Sequence, residues 1–125
     1  MAKIITCNTN GIRSAASKGF FDWLHAQQAD VVCIQETKAQ LEQLTDPVFS
    51  PAGYHCFYND AVKKGYSGTA LYCKVEPQRV ITRLGWDPVD SEGRYTQADF
   101  RGLSVISLYM PSGSSSEEAL QKKLR

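Results

Sequence analysis

Two runs of consecutive apolar residues, Ile4–Cys7 and Val31–Ile34, flank a segment whose apolar positions recur at helical spacing. The first run is rich in β-branched residues and stops at the turn-prone Asn8-Thr9-Asn10-Gly11, which predicts a strand followed by a loop. Phe20, Phe21 and Leu24 then fall on one face, with Ser17 placed to cap a helix that Gln27-Gln28 closes. The second run ends at the polar Gln35-Glu36-Thr37-Lys38. These elements make a β-α-β unit, whose crossover is expected to be right-handed and whose strands are expected to be parallel and covered on both faces.

After a short helical stretch at 41–44 the pattern changes to strands separated by turn residues: 54–58, 68–74, 78–84, 95–100 and 103–109. Arg101-Gly102 fits a tight hairpin between the last two, so an antiparallel meander is expected. Ser115 with Glu118 three residues on is a capping-box signature. It predicts a helix from about Ser116, with Lys122, Lys123 and Arg125 near its C-terminal end and Leu120/Leu124 as its apolar pair.

Composition narrows the class. The 125 residues are 42% hydrophobic and 22% charged, with 14 Lys+Arg against 13 Asp+Glu. That is the profile of one globular domain, with neither the polarity of a disordered chain nor an apolar run of the ~20 residues that span a bilayer. The segment after Met1 lacks the apolar stretch of a secretory signal, and an intracellular, cytoplasmic protein without membrane partners is expected. Cys7, Cys33, Cys56 and Cys73 form no Cys-x-x-Cys pair and read as four buried thiols. Charge is uneven: residues 1–62 hold 4 Lys/Arg against 6 Asp/Glu, and residues 63–125 hold 10 against 7. The imbalance is too mild to mark a charge-driven nucleic-acid binder.

In open α/β sheets ligands bind beyond the carboxyl ends of the strands. The first two strands deliver Asn8, Asn10, Gln35 and Glu36 there, and the last delivers Tyr109. If the first two strands are parallel neighbours, an amide oxygen and a carboxylate stand side by side, the hard donors that suit Mg²⁺. Asn-Thr-Asn-Gly is equally ordinary turn chemistry, and a tyrosine ending a strand is equally a half-buried core residue. Lys63-Lys64-Gly65-Tyr66-Ser67-Gly68 has the cations, glycines and aromatic of a phosphate-contacting loop, and also the composition of a solvated turn. Glu92-Gly93-Arg94 reads as a turn with an ion pair. His25 and His55 lie on elements away from this edge and read as structural.

Taken in order, Ile5-Thr6-Cys7-Asn8-Thr9-Asn10-Gly11-Ile12-Arg13, Asp30–Lys38, Gly65-Tyr66-Ser67-Gly68, Glu92-Gly93-Arg94 and Leu108-Tyr109-Met110-Pro111 resemble the successive motifs of exonuclease III and its relatives. These are abasic-site endonucleases of the endonuclease/exonuclease/phosphatase superfamily. The resemblance implies an α/β fold, one half of a four-layer α/β sandwich with a mixed, largely antiparallel sheet and flanking helices. It also implies an Mg²⁺-dependent phosphodiesterase, with Mn²⁺ as the alternative metal, that cuts double-stranded DNA at abasic sites and removes nucleotides from 3′ ends. Carried over residue by residue, Glu36 is the metal carboxylate and Asn8 its neighbour in the metal and phosphate shell. Asn10 and Lys38 support them, Tyr109 faces the scissile phosphate, and Tyr66, Gly68 and Ser112 touch DNA. Ser112 departs from the amide side chain of several relatives.

The family draws its general base and further ligands from an Asp-x-Asn motif and an Asp-His pair in the second half of its domain. After Tyr109 this chain has no Asp and no His. The chain is therefore expected to be the N-terminal half of such a domain, one sheet with its helices, with little activity alone and one apolar sheet face exposed. That face motivates the alternative of a non-catalytic DNA-binding half-domain that self-associates. A phosphatase of the same superfamily is a third reading.

Overall fold

The protein is described by a computed structural model, which covers residues 2–110. Strand β1 (Ile4–Asn8) leads through α1 (Ile12–Ser17) and α2 (Phe20–Gln27) to β2 (Val31–Gln35). Two 3₁₀ turns, Leu41–Gln43 and Pro47–Phe49, precede β3 (His55–Asn59) and β4 (Thr69–Cys73). Then follow β5 (Arg79–Ile81), the one-turn α3 (Asp87–Asp90), β6 (Tyr95–Phe100) and β7 (Leu103–Leu108).

The two strands of the β-α-β unit are parallel as expected, in the register Ile4↔Val31 to Asn8↔Gln35, but only β2 is covered on both faces; β1 is the edge strand of its sheet and leaves Ile4, Thr6 and Asn8 exposed. The unit's helix is two helices. Ser17 does not cap the second; it ends the first, its hydroxyl donating back to the Ser14 carbonyl at 2.7 Å. The break follows at Lys18-Gly19, where Gly19 takes φ 90°, a left-handed conformation that suits glycine and caps α2 without a side chain. Phe21 and Leu24 point inward from α2 as the periodicity predicts.

The meander is not a single sheet. Strand order is β1-β2-β4-β3 in one sheet and β5-β6-β7 in a second. The reason is edge availability: β4 inserts between β2 and β3, antiparallel to both, so neither of its edges is free for β5. The chain crosses instead through residues 74–78, which include Pro77, and starts a new antiparallel sheet. The expected strand at 78–84 shortens to Arg79–Ile81, and α3 occupies sequence with no helical periodicity, Pro88 fitting its first turn.

Two cores result. Ile12, Phe21, Leu24, Val32, Ile34, Phe49 and Tyr72 fill the space between the helices and one face of the first sheet. Val31, Cys33, Leu71, Cys73, Ala98 and Val105 lie between the sheets. The second sheet thus covers much of the face expected to be bare, and the exposed apolar residues along β1 and β7 are Ile4, Leu103, Ile106 and Leu108. Cys33 and Cys73 are buried and Cys7 and Cys56 half-buried, all as free thiols. Among the described residues no helix is long and apolar enough to cross a membrane. Ser112 and the helix expected from Ser116 lie outside the described residues.

Candidate active site

The parallel register aligns Asn8 with Gln35 at the carboxyl ends of β1 and β2, and Glu36 follows at once. Asn8 Nδ2 donates to Glu36 Oε2, while Asn8 Oδ1 accepts the Asn10 backbone N–H at 2.9 Å. Lys38 Nζ donates to Asn10 Oδ1 at 2.6 Å and stands 3.8 Å from Glu36 Oε1. Asn8, Asn10, Glu36 and Lys38 are therefore one connected polar network.

The backbone is bent to present them. Asn10, Glu36 and Lys38 all adopt positive φ (46°, 53° and 51°), an uncommon conformation for residues with a Cβ and one that costs on the order of 1–2 kcal/mol for each. It persists because the loops are stitched together: Gly11 N donates to Glu36 O at 2.8 Å, Ile12 N to Thr37 O at 2.9 Å, and the Thr9 hydroxyl to Glu36 O at 3.1 Å. Gln35 turns away from the network. Its amide donates to Thr6 and Ser107 hydroxyls, each at 3.1 Å, and ties β1 and β2 to the second sheet.

Tyr109 arrives from that second sheet. Inward-facing positions alternate along β7 through Val105 and Ser107, so the next one, Tyr109, points toward the end of β2. Its N–H donates to Arg94 O at 2.9 Å, and its hydroxyl lies near enough to Glu36 for the carboxylate's charge to act on it. Burial pushes the phenol above the ordinary tyrosine value; the neighbouring charges of Glu36 and Tyr66 act the same way, and the Arg94 guanidinium opposes them. Tyr109 is thus a neutral hydrogen-bond donor at neutral pH.

The loop with Lys63, Lys64 and Tyr66 lies on the same rim. Tyr66 is 37% exposed, and Lys63 Nζ sits 5.4 Å from the centre of its ring. Gly68 is buried, and its N–H goes inward to Glu92 O at 3.3 Å. A Cβ there would lie 2.1 Å from Thr37 Oγ1, so glycine lets the loop close on the segment that carries Glu36. Beside Asn10, a cavity of about 320 Å³ is lined by Thr9, Asn10, Ser14, Lys18 and Phe20.

Arg94 is a site component that composition undervalued. Its side chain is 1% exposed and ion-paired to Glu92, and its carbonyl anchors Tyr109. Gly93 holds the turn against Asn59, whose backbone oxygen would be 2.5 Å from an added Cβ. Nothing in the Glu-Gly-Arg tripeptide by itself signals such burial. His25 and His55 are exposed and sit at the other end of the first sheet; His55 pairs with Cys73, whereas the site-end residues Asn59 and Gln35 pair with Thr69.

Among the described residues no group of three or more His, Cys, Asp or Glu forms a ready metal cage. The donor set is one carboxylate, Glu36, with amide groups around it. That still fits Mg²⁺, which keeps several waters and needs as little as one carboxylate besides substrate phosphate.

The sequence matches the family model described as the endonuclease/exonuclease/phosphatase family over residues 5–123. It is 38% identical over 124 residues to an exodeoxyribonuclease of Bacillus subtilis (strain 168), covering 98% of this chain and 48% of that protein. It is 33% identical over 114 residues to the DNA repair nuclease APEX1 of Danio rerio, covering 90% of this chain and 37% of that protein. The fold is similar to an AP endonuclease from Archaeoglobus fulgidus, with a TM-score of 0.82 and 34% identity, over 99% of this chain and 47% of the other. The chain spans about half the length of the B. subtilis relative and of the archaeal structure, in agreement with a half-domain. By sequence over nearly its whole length and by fold, the chain belongs to the endonuclease/exonuclease/phosphatase family.

Proposed function

We propose that this chain carries the metal-binding and phosphate-facing half of a DNA-repair phosphodiesterase that cuts at abasic sites and trims 3′ ends. The observation that carries the reading is the convergence of Asn8, Glu36 and Tyr109 from the ends of three strands of two sheets, with Asn8 and Glu36 hydrogen-bonded and Tyr109 close enough to feel the Glu36 charge. Its motif order and its exodeoxyribonuclease and DNA-repair relatives support DNA as the substrate.

Hydrolysis of a phosphodiester needs negative charge relieved on the phosphate and on the departing oxygen. A divalent cation, Mg²⁺ or Mn²⁺, held by Glu36 would supply Lewis-acid charge there. Asn8 keeps the Glu36 carboxylate aimed, and Lys38 fixes Asn10 and balances the anionic charge. Tyr109, held neutral, donates its hydroxyl proton in a hydrogen bond to a non-bridging phosphate oxygen. Tyr66, with Lys63 and Lys64, meets the DNA backbone, as does Ser112. The network contains one carboxylate and no imidazole, so no residue in it serves as base for the attacking water. The 125-residue chain is accordingly expected to nick DNA weakly or not at all.

Nicking of duplex DNA with one abasic site, in the presence and absence of Mg²⁺, tests this. The expected result is no more than trace nicking by the chain, and nicking that depends on Glu36 in a longer form that includes the second half. Robust nicking by the chain alone would overturn the claim about the base, and a longer form as active with Ala at 36 would overturn the metal assignment. Exposed Ile4, Leu103, Ile106 and Leu108 favour a second reading, self-association through β1 and β7 into a DNA-binding assembly. Sedimentation showing a monomer at all concentrations removes it. A phosphomonoester that competes better than abasic DNA would point to phosphatase work instead.

A further inference from the structure

The exposed loop between β3 and β4 is braced by one buried side chain that the reading above leaves without a role. Gln40 is 6% exposed. Its Nε2 donates to Ala61 O at 2.6 Å, and its Oε1 accepts the Gly65 N–H at 3.2 Å. One amide thus spans the loop from residue 61 to residue 65 and satisfies a backbone acceptor and a backbone donor that the loop cannot pair itself. Between those points Val62, Lys63 and Lys64 stand exposed, and Tyr66 follows under the Lys63 ammonium.

Gln40 is itself fixed. Its N–H donates to Gln43 Oε1 at 3.0 Å in a reciprocal cap on the 3₁₀ turn Leu41–Gln43, and Leu41 N–H donates to Asp60 Oδ2 at 3.0 Å. Just before it, Thr37 N donates to Gly68 O at 3.2 Å and Lys38 N to Ser67 O at 2.8 Å. The four residues after Glu36 and the basic loop therefore form one braced unit.

We infer that Gln40 is a positioning residue for polyanion contact: it holds Lys63, Lys64 and Tyr66 in register with Glu36, so that backbone phosphates flanking the reacting one meet two ammonium groups. The inference rests on the DNA reading proposed above. Gln40 is too buried to touch the nucleic acid, and it acts only through the shape of the loop. A loop that was merely solvated would need no strut across its base. An unpaired Gly65 N–H and Ala61 C=O would be satisfied by water, and the lysines would sample many directions at a loss of side-chain entropy on binding.

The test is the salt dependence of binding to a fluorescent duplex carrying a stable abasic analogue, between 50 and 200 mM KCl. Each phosphate neutralised contributes about 0.9 to the slope of log K against log[salt], so two lost contacts remove roughly a tenfold share of the fall across that range. Gln40→Met, of similar length and without donors, should flatten the slope by about 1–2. The Lys63→Ala/Lys64→Ala pair should do the same, and adding Gln40→Met to that pair should change the slope no further. A Gln40→Met slope equal to that of the unsubstituted chain, or slopes that add, would overturn the inference. Absence of any salt-dependent binding by the unsubstituted chain would instead overturn the DNA reading, and this inference with it. A measurement that needs no substitution is amide exchange in the unsubstituted chain: Gly65 N–H should be protected relative to Lys63 and Lys64, and equal exchange at the three would refute the strut even if Gln40→Met failed to fold.

Discussion

The two ends of the sheet pair each carry a carboxylate in a polar cluster, and they are built to different ends. At the hairpin end Asp99 Oδ1 accepts Gln97 Nε2 at 2.6 Å and Ser104 Oγ at 2.7 Å, and Asp99 Oδ2 accepts Arg79 Nε at 2.8 Å. All four residues belong to regular strands, and the carboxylate is consumed by cross-strand pairing. At the site end Glu36 stands outside regular structure at positive φ, with two further left-handed residues beside it. Its neighbours are Asn8 at the end of β1, Lys38 in the loop after β2 and Tyr109 just past β7, and they hold the carboxylate in place without making it part of a ladder. Both carboxylates are hydrogen-bonded, so hydrogen bonding does not by itself separate the two. Local conformational cost does, and such cost concentrates where a fold presents chemistry.

The widest gap between the ends should appear in cation binding. Glu36→Ala removes the one carboxylate of the site network and should weaken Mn²⁺ binding, followed by paramagnetic resonance, by more than ~100-fold, beyond the usual effect of losing an outer-shell partner. Asp99→Asn should leave it unchanged. Equal losses in the two variants would erase the distinction and move the metal away from the strand ends.

Glycines draw the same contrast in stability. Gly93→Ala puts a Cβ 2.5 Å from the Asn59 backbone oxygen at φ 60°, and that oxygen belongs to a strand whose side chain already donates to Thr82 O and Tyr95 O. Overpacking and left-handed backbone together should cost about 3 kcal/mol. Gly102→Ala, in the far hairpin with open space around it and φ 77°, should cost about 1 kcal/mol from backbone alone. Urea unfolding midpoints measure both. Equal values would mean that the turn at Gly93 relaxes and does not brace Arg94.

These contrasts show what a linear reading can hold. The β-α-β unit was legible because β1 and β2 are short apolar runs with polar stops, and the stops are the site. The approach of Asn8 to Glu36 follows from that register, whereas Asn10 and Lys38 were expected only from the family resemblance. The division into two sheets was not legible, since alternation reports which faces are buried and not which edges are already paired. Arg94 and Gln40 escaped for a related reason. Their burial is created by the crossing of chain segments distant in sequence, as when Gln40 meets Ala61 and Tyr109 N meets Arg94 O. The break at Gly19 escaped because Phe20, Phe21 and Leu24 keep their spacing whether or not the preceding turn continues.

Between the two ends lies a shared core, which supplies an expected effect common to both. Burial raises the Cys33 and Cys73 thiols from 9.0 to about 11, with the neighbouring Cys33 adding to the effect at Cys73. A thiol whose folded pKa is raised contributes stability that is complete below the unfolded value. It is lost as pH rises through the folded one. Stability should therefore decline between about pH 9 and pH 11, by ~2–3 kcal/mol for Cys33 alone. Cys33→Ala should flatten this part of the alkaline profile in urea melts. If the two ends unfold at different alkaline pH, they are not coupled through the core between the sheets.

The smallest effect belongs to the far carboxylate. Hydrogen bonds from Gln97 and Ser104, and then Arg79, hold Asp99 down at about 2, against an ordinary 3.8. Its contribution to stability is therefore present above the unfolded value and is lost only as pH falls through about 2. Because Gln97 and Ser104, the two leading contributions, are neutral and short-range, Arg79→Ala should raise the Asp99 midpoint only part of the way toward 3.8 in a carboxyl NMR titration, and added salt should move it less than that substitution does. Ser104→Ala should raise it at least as much as Arg79→Ala. The reverse order would mean that charge, and not strand-borne hydrogen bonding, sets the carboxylate at this end, and the comparison with Glu36 would then rest on backbone conformation alone.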